Sequence, residues 1–117
     1  MKAMLSAAVL LTAISAGADR EIVNIRIWPA TSFEPANVLV QVDVGPHEEN
    51  RLLRVSADSG AFFSSSERQL EGERAPRTTA IQCRQLPAGD YEIEAQVFGR
   101  NGRPRGTARH RMIVLPR

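Results

Sequence analysis

The sequence predicts an all-β sandwich preceded by a cleavable leader. Apolar and polar residues alternate with a period of two in several short runs. Turn-forming clusters recur at intervals of roughly 8 to 12 residues, the spacing of short strands in sandwiches and barrels. No long helical period follows residue 18. In a strand with one face buried every second side chain enters the core, so the alternation also identifies the inward rows.

The leader comes first. Lys2 supplies a positive charge, Ala3 to Ile14 an almost wholly apolar run, and Ala16-Gly17-Ala18 the small-x-small pattern accepted by signal peptidases. Residues 1–18 are therefore predicted to be a signal peptide, with Asp19 as the new N-terminus and a periplasmic or extracellular destination. The run is shorter than the roughly 20 residues a membrane helix needs, and no second hydrophobic stretch follows. This predicts no membrane span after cleavage. The competing reading, a buried N-terminal helix, lacks a capping residue and a polar face. No Cys follows the cleavage site, so a lipid anchor is not expected.

Residues 19–117 suffice for one domain with a single core. Exported domains of this size often carry disulfides, but Cys83 is alone and closes no internal bridge. The core must hold by packing.

The first strand places Val23, Ile25 and Ile27 inward and Glu21, Asn24 and Arg26 outward, and ends at Trp28-Pro29, where Pro cannot donate to a ladder. A loop is expected from Thr31 to Pro35. Val38, Val40, Val42 and Val44 form a β-branched core row for the second strand. After the polar turn Pro46 to Asn50, the third strand buries Leu53, Val55 and Ala57 and stops at Asp58-Ser59-Gly60. Phe62, Phe63 and Ser64 to Ser66 suggest a short edge strand, and charged Glu67 to Arg77 an irregular segment. The fifth strand turns Thr79, Ile81 and Cys83 inward. The sixth buries Tyr91, Ile93, Ala95 and Val97, and Asn101-Gly102 reads as a hairpin turn. The last strand carries Ala108, His110, Met112 and Val114 on one face and Arg109, Arg111, Ile113 and Leu115 on the other.

Leu86-Pro87-Ala88-Gly89-Asp90-Tyr91 is the most specific segment. It resembles the tyrosine corner of immunoglobulin-like sandwiches, and its leucine, proline, glycine and tyrosine spacing is similar to that between the fifth and sixth strands of fibronectin type III modules. The resemblance spans nearly all of residues 19–117. It implies an immunoglobulin-like, fibronectin type III-like sandwich of about seven antiparallel strands, with Leu86, Gly89 and Tyr91 as a structural corner and the Tyr91 hydroxyl bonded to backbone a few residues upstream. Two departures count against any named subfamily: the third strand has no core Trp, and the paired cysteines of antibody domains are absent. Architecture is carried over and binding residues are not.

Chemistry is sparse. His47, Glu48 and Glu49, with Asp43, offer donors for a cation such as calcium, but adjacent acids on a polar loop lack the alternating spacing of calcium loops. Ser59 or Ser64 with His47 or His110 has no nucleophile elbow around it. Cys83 shares the core phase of Ile81 and reads as a small buried hydrophobe. His110 shares a face with Met112 and Val114, which predicts partial burial. No catalytic residue, metal or cofactor is expected, and the chain reads as a protein without enzymatic activity.

Two surfaces remain as binding candidates. Every cation after Lys2 is Arg, and Arg103, Arg105, Arg109 and Arg111 make a basic stripe along the final hairpin. It suits an anionic envelope component or an acidic protein, with nucleic acid not expected for lack of interleaved aromatics. Its bland alternative is a solvated face paired across the sheet with Glu92 and Glu94. Phe62 and Phe63 are adjacent, so both cannot enter one core. The function expected is an exported, non-enzymatic binding or interaction module. A structural accessory subunit of an envelope assembly is the alternative, and a small hydrolase or enzyme inhibitor a more distant one.

Overall fold

The computed structural model describes residues 22–117; the signal peptide assigned to residues 1–18 lies outside the described residues. Eight strands follow in order: β1 (Val23–Trp28), β2 (Thr31–Phe33), β3 (Ala36–Val44), β4 (Leu52–Asp58), β5 (Phe63–Gln69), β6 (Thr78–Leu86), β7 (Gly89–Phe98) and β8 (Pro104–Leu115). A 3-10 turn, Gly72–Arg74, lies between β5 and β6.

The strands form two sheets, one of order β1-β3-β6 and one of order β2-β8-β7-β4-β5. The predicted rows pack between them. Val38, Val40, Val42 and Val44 of β3 oppose Leu53, Val55 and Ala57 of β4, Tyr91, Ile93, Ala95 and Val97 of β7, and Met112 and Val114 of β8, all in one buried cluster. Complete burial of a Val, Leu or Ile side chain contributes about 1.5–3 kcal/mol, so a continuous aliphatic layer replaces the missing disulfide.

The structure differs from the expected seven antiparallel strands. Thr31 to Phe33, expected as loop, form β2, which pairs in parallel with Ile113 to Leu115 of β8. The segment is too short to carry a readable alternation, and its ladder bonds are long-range. The edge strand also outlasts its apolar residues. β5 runs on through Glu67, Arg68 and Gln69, because Arg54 of β4 lies opposite Glu67 and binds it at 2.9 Å. Only Leu70 to Arg77 leave the sheet, and the turn there is tight. Gly72 has φ +60° and a Cβ built on it would lie 2.9 Å from the Glu48 carbonyl oxygen.

The β6–β7 corner is as expected. The Tyr91 hydroxyl donates to the Pro87 carbonyl at 2.7 Å, and Leu86 is fully buried beneath it. Gly89 is needed for space, since a Cβ there would meet the Ser59 Cβ at 3.1 Å. The Ala88 N–H donates to Glu34 Oε1 at 2.9 Å, tying the corner to the end of β2.

Candidate functional site

The basic stripe is not continuous. The register opposes Glu94 to Arg109 and Glu92 to Arg111, and Arg109 Nε binds Glu94 Oε2 at 2.9 Å. The β7–β8 ladder then slips between Val97 and Phe98, which are paired with Gly106 and Pro104. The extra residue is Arg105, and a bulge of this kind re-aims a side chain. Arg105 turns into the end of the sandwich and is half-buried, with Nη1 2.6 Å from Asn50 Oδ1. Arg103 and Arg111 stay exposed, on opposite sides of this break. Four cations predicted to act together are thus one ion pair, one structural tie and two separated charges.

The adjacent phenylalanines divide as the strand geometry requires. Phe62 packs on the core with its ring edge-on to Tyr91, centroids 6.4 Å apart, whereas Phe63 is 62% exposed. Ser59 and Phe62 close a turn in which the Phe62 N–H donates to Ser59 Oγ at 3.1 Å and Gly60 N–H to Asp58 Oδ1 at 2.8 Å.

Other expected donors do not converge. His47 Nδ1 accepts from the Glu49 N–H at 3.0 Å within its own loop. Among the described residues no three His, Cys, Asp or Glu side chains come close enough to hold a metal ion. His110, expected to be partly buried, is exposed, with Nδ1 2.8 Å from the Arg111 carbonyl oxygen. The reason is geometric: a three-stranded sheet cannot cover every inward position of a five-stranded one. Cys83 is buried as expected, and burial pushes its thiol pKa up.

Four features are not evident from the sequence pattern alone. Asn50 is 1% exposed, and its amide joins separate segments: Nδ2 donates to the Gly45 carbonyl at 2.8 Å while Oδ1 receives Arg105. Beside it, a cleft of about 650 Å³ is lined by Glu48, Glu71, Glu73, Arg51 and Arg74, charges of both signs that concentrate no strong field of either. At the opposite edge of the larger sheet Phe33, Ile113 and Leu115 are 55%, 45% and 36% exposed on neighbouring positions of β2 and β8.

The fourth feature is Trp28, 77% exposed on the open face of the smaller sheet. It stands opposite Leu39 of β3, which stands opposite Gln82 of β6. The next row across the same face is Arg26, Gln41 and Ala80. Trp28, Leu39, Arg26 and Gln41 border a depression of about 220 Å³. The signal is present in the sequence, because Trp28 has the outward phase of Asn24 and Arg26, although the following Pro29 marks the position first as a strand end.

No protein-family model matches the chain, and no curated protein matches it. Among solved structures it is similar to a superoxide reductase (neelaredoxin) from Ignicoccus hospitalis, with TM-score 0.59 and 16% identity over 87% of this chain and 85% of that chain. A variant of the same reductase gives TM-score 0.59 and 18% identity over 91% and 87%. A family 76 glycoside hydrolase from a bovine Bacteroides thetaiotaomicron strain gives 0.57 and 16%, over 82% of this chain and 21% of the hydrolase. At these identities the likeness shows the all-β fold alone. It nevertheless corrects the expectation of a protein without enzymatic activity: a superoxide reductase is an enzyme built on this architecture. The absence of a nucleophile motif is therefore no ground for excluding catalysis.

Proposed function

We propose that this chain is an exported binding or interaction module on an immunoglobulin-like, fibronectin type III-like sandwich. The strand order, with β1, β3 and β6 facing β8, β7, β4 and β5, supports the finer fold reading, as does the Tyr91 hydroxyl returned to Pro87. Export rests on the leader composition, and an envelope component is the natural partner class.

The observation that carries the reading is the exposure of Trp28 over a packed core. Holding an indole in water gains the isolated domain nothing, and exposed aromatics on rigid elements are common recognition anchors. A second reading, an accessory subunit of an envelope assembly, draws on the Phe33, Ile113 and Leu115 cluster, an apolar edge that a neighbouring subunit would cover.

The test is co-sedimentation of the purified protein with peptidoglycan sacculi, anionic phospholipid vesicles and an insoluble polysaccharide, each separately. Retention by at least one, weakened by Trp28→Ala, is expected. A protein that stays in the supernatant with all three contradicts the binding reading. Stability that rises with protein concentration would then favour the subunit.

A further inference from the structure

The open face of the three-stranded sheet has a composition that selects among ligands. Its aromatic anchor is Trp28, and the apolar floor beside it is half-buried Leu39. Around these stand neutral amides, with Arg84 the nearest charge outside an ion pair. Gln41 lies one row down, Gln82 in the same row, and Asn37 one position beyond Val38 on β3.

The hydrogen bonds within this face fix which amide atoms remain available. Gln82 Oε1 accepts from Arg84 Nε at 3.1 Å, and Asn37 Oδ1 accepts from the Gln85 N–H at 3.1 Å. Each oxygen thereby has one of its two acceptor sites filled, and each NH2 group, with two donors, is left for a ligand. The nearest opposite charges cancel: Arg26 binds Asp43 at 3.0 Å, and Asp43 also receives the Thr78 hydroxyl at 2.8 Å. An anionic partner would find little net field over Trp28, and an acidic or basic peptide would find no complementary charge beyond Arg84.

A flat aromatic ring, an apolar floor and a rim of uncharged amide donors match a ligand with one apolar face and a periphery of hydroxyl oxygens. A pyranose ring in a neutral glycan has that form, with axial C–H groups on one face and hydroxyls around the edge. We propose that Trp28, Leu39, Gln41 and Gln82 form a binding site for a neutral polysaccharide chain, with a sugar ring stacked on the Trp28 indole over the 220 Å³ depression. This rests on the binding-module reading and names its ligand class and its face. The open sheet lets a chain run across the strands, so the site takes an internal segment of a polymer.

The test is affinity electrophoresis of the purified protein in native gels containing soluble mannan, xylan or a β-glucan, beside a gel containing polygalacturonate. Retardation by at least one neutral polymer is expected, with affinity reduced about tenfold or more by Trp28→Ala, the usual scale for losing a central Trp contact. Gln82→Ala is expected to weaken binding with Trp28 in place, and Phe63→Ala, on the other sheet, to leave it unchanged. Trp28 is exposed, so the Ala variant keeps its fold, which circular dichroism checks. No retardation by any neutral polymer, binding confined to polygalacturonate, or unchanged affinity in Trp28→Ala each overturns the proposal. If sacculi or vesicles still retain the protein when these gels show nothing, the glycan assignment fails and the binding-module reading stands.

Discussion

Arg105 Nη1 lies 2.6 Å from Asn50 Oδ1, so the bulge that removes Arg105 from the outer face of β8 also ties the last hairpin to the β3–β4 loop. The same asparagine holds the Gly45 carbonyl through its side chain and the Gly72 N–H through its backbone oxygen, joining three segments at one end of the sandwich. Asn50→Ala removes both side-chain bonds and leaves a half-buried guanidinium without its acceptor. A loss of roughly 2–3 kcal/mol is expected, since bonds to charged groups are worth about 1.5–3 kcal/mol. Urea unfolding of Asn50→Ala, Arg105→Ala and the double variant measures it, and a double-variant loss well below the sum of the singles shows the coupling. Strict additivity contradicts it.

Tyr91→Phe tests the corner in isolation. The ring stays in place against Phe62, and only the 2.7 Å bond to the Pro87 carbonyl is lost. The acceptor is only part-buried, so the loss should lie near the net worth of one hydrogen bond, about 0.5–1.5 kcal/mol, which for a domain of this size lowers Tm by several degrees. Gly89→Ala should cost stability for a different reason, the approach to Ser59, and the two losses should not add fully because both act on the same corner. A Tyr91→Phe protein with unchanged Tm would remove the hydroxyl from the stability of the fold.

Asp43 supplies a pH dependence of known sign. The Thr78 hydroxyl and then the Arg26 guanidinium hold its carboxyl below the usual carboxylate range. A depressed folded-state pKa means that the unfolded chain takes up the proton first. The stabilisation is therefore present above the ordinary carboxylate pKa near about 4 and is lost as pH falls through the folded value. Thr78→Val should move the Asp43 titration, followed by carboxyl NMR, up toward the ordinary range. Asp43→Asn should flatten the acid limb of the stability curve, and an unaltered limb would show that the interaction contributes nothing.

Much of this fold was legible because alternation is a local signal. The valine row of β3, the Leu53, Val55 and Ala57 row, and Tyr91, Ile93, Ala95 and Val97 were all readable as inward, since a strand fixes side-chain phase without reference to its partners. β2 was not, because three residues carry no period and its pairing with Ile113 to Leu115 joins segments about eighty residues apart in the chain. The site failed for the same reason. Alternation places Arg103, Arg105, Arg109 and Arg111 on one side, and only the ladder slip beside Phe98 shows that Arg105 has left it. Trp28 had a readable outward phase, but its significance depends on which residues β3 and β6 set beside it.

Cys83 gives the last prediction, on the alkaline side. Burial among the core residues favours the neutral thiol and raises its pKa, so the folded protein keeps this proton at a pH where the unfolded chain releases it. The unfolded state then binds fewer protons, and stability falls as pH rises through the ordinary thiol range near about 8.5 until the folded value is reached. The difference in urea midpoint between the parent and Cys83→Ala should accordingly shrink across that range. A chromogenic disulfide reagent should leave the native thiol nearly untouched at pH 8 and label it at once in denaturant, because only the exposed thiolate attacks. Rapid labelling of the native protein would place Cys83 within reach of solvent and reopen it as a reactive group. Slow labelling with an alkaline slope that vanishes in Cys83→Ala leaves it the role its phase on β6 assigns, a small apolar filler opposite Val38.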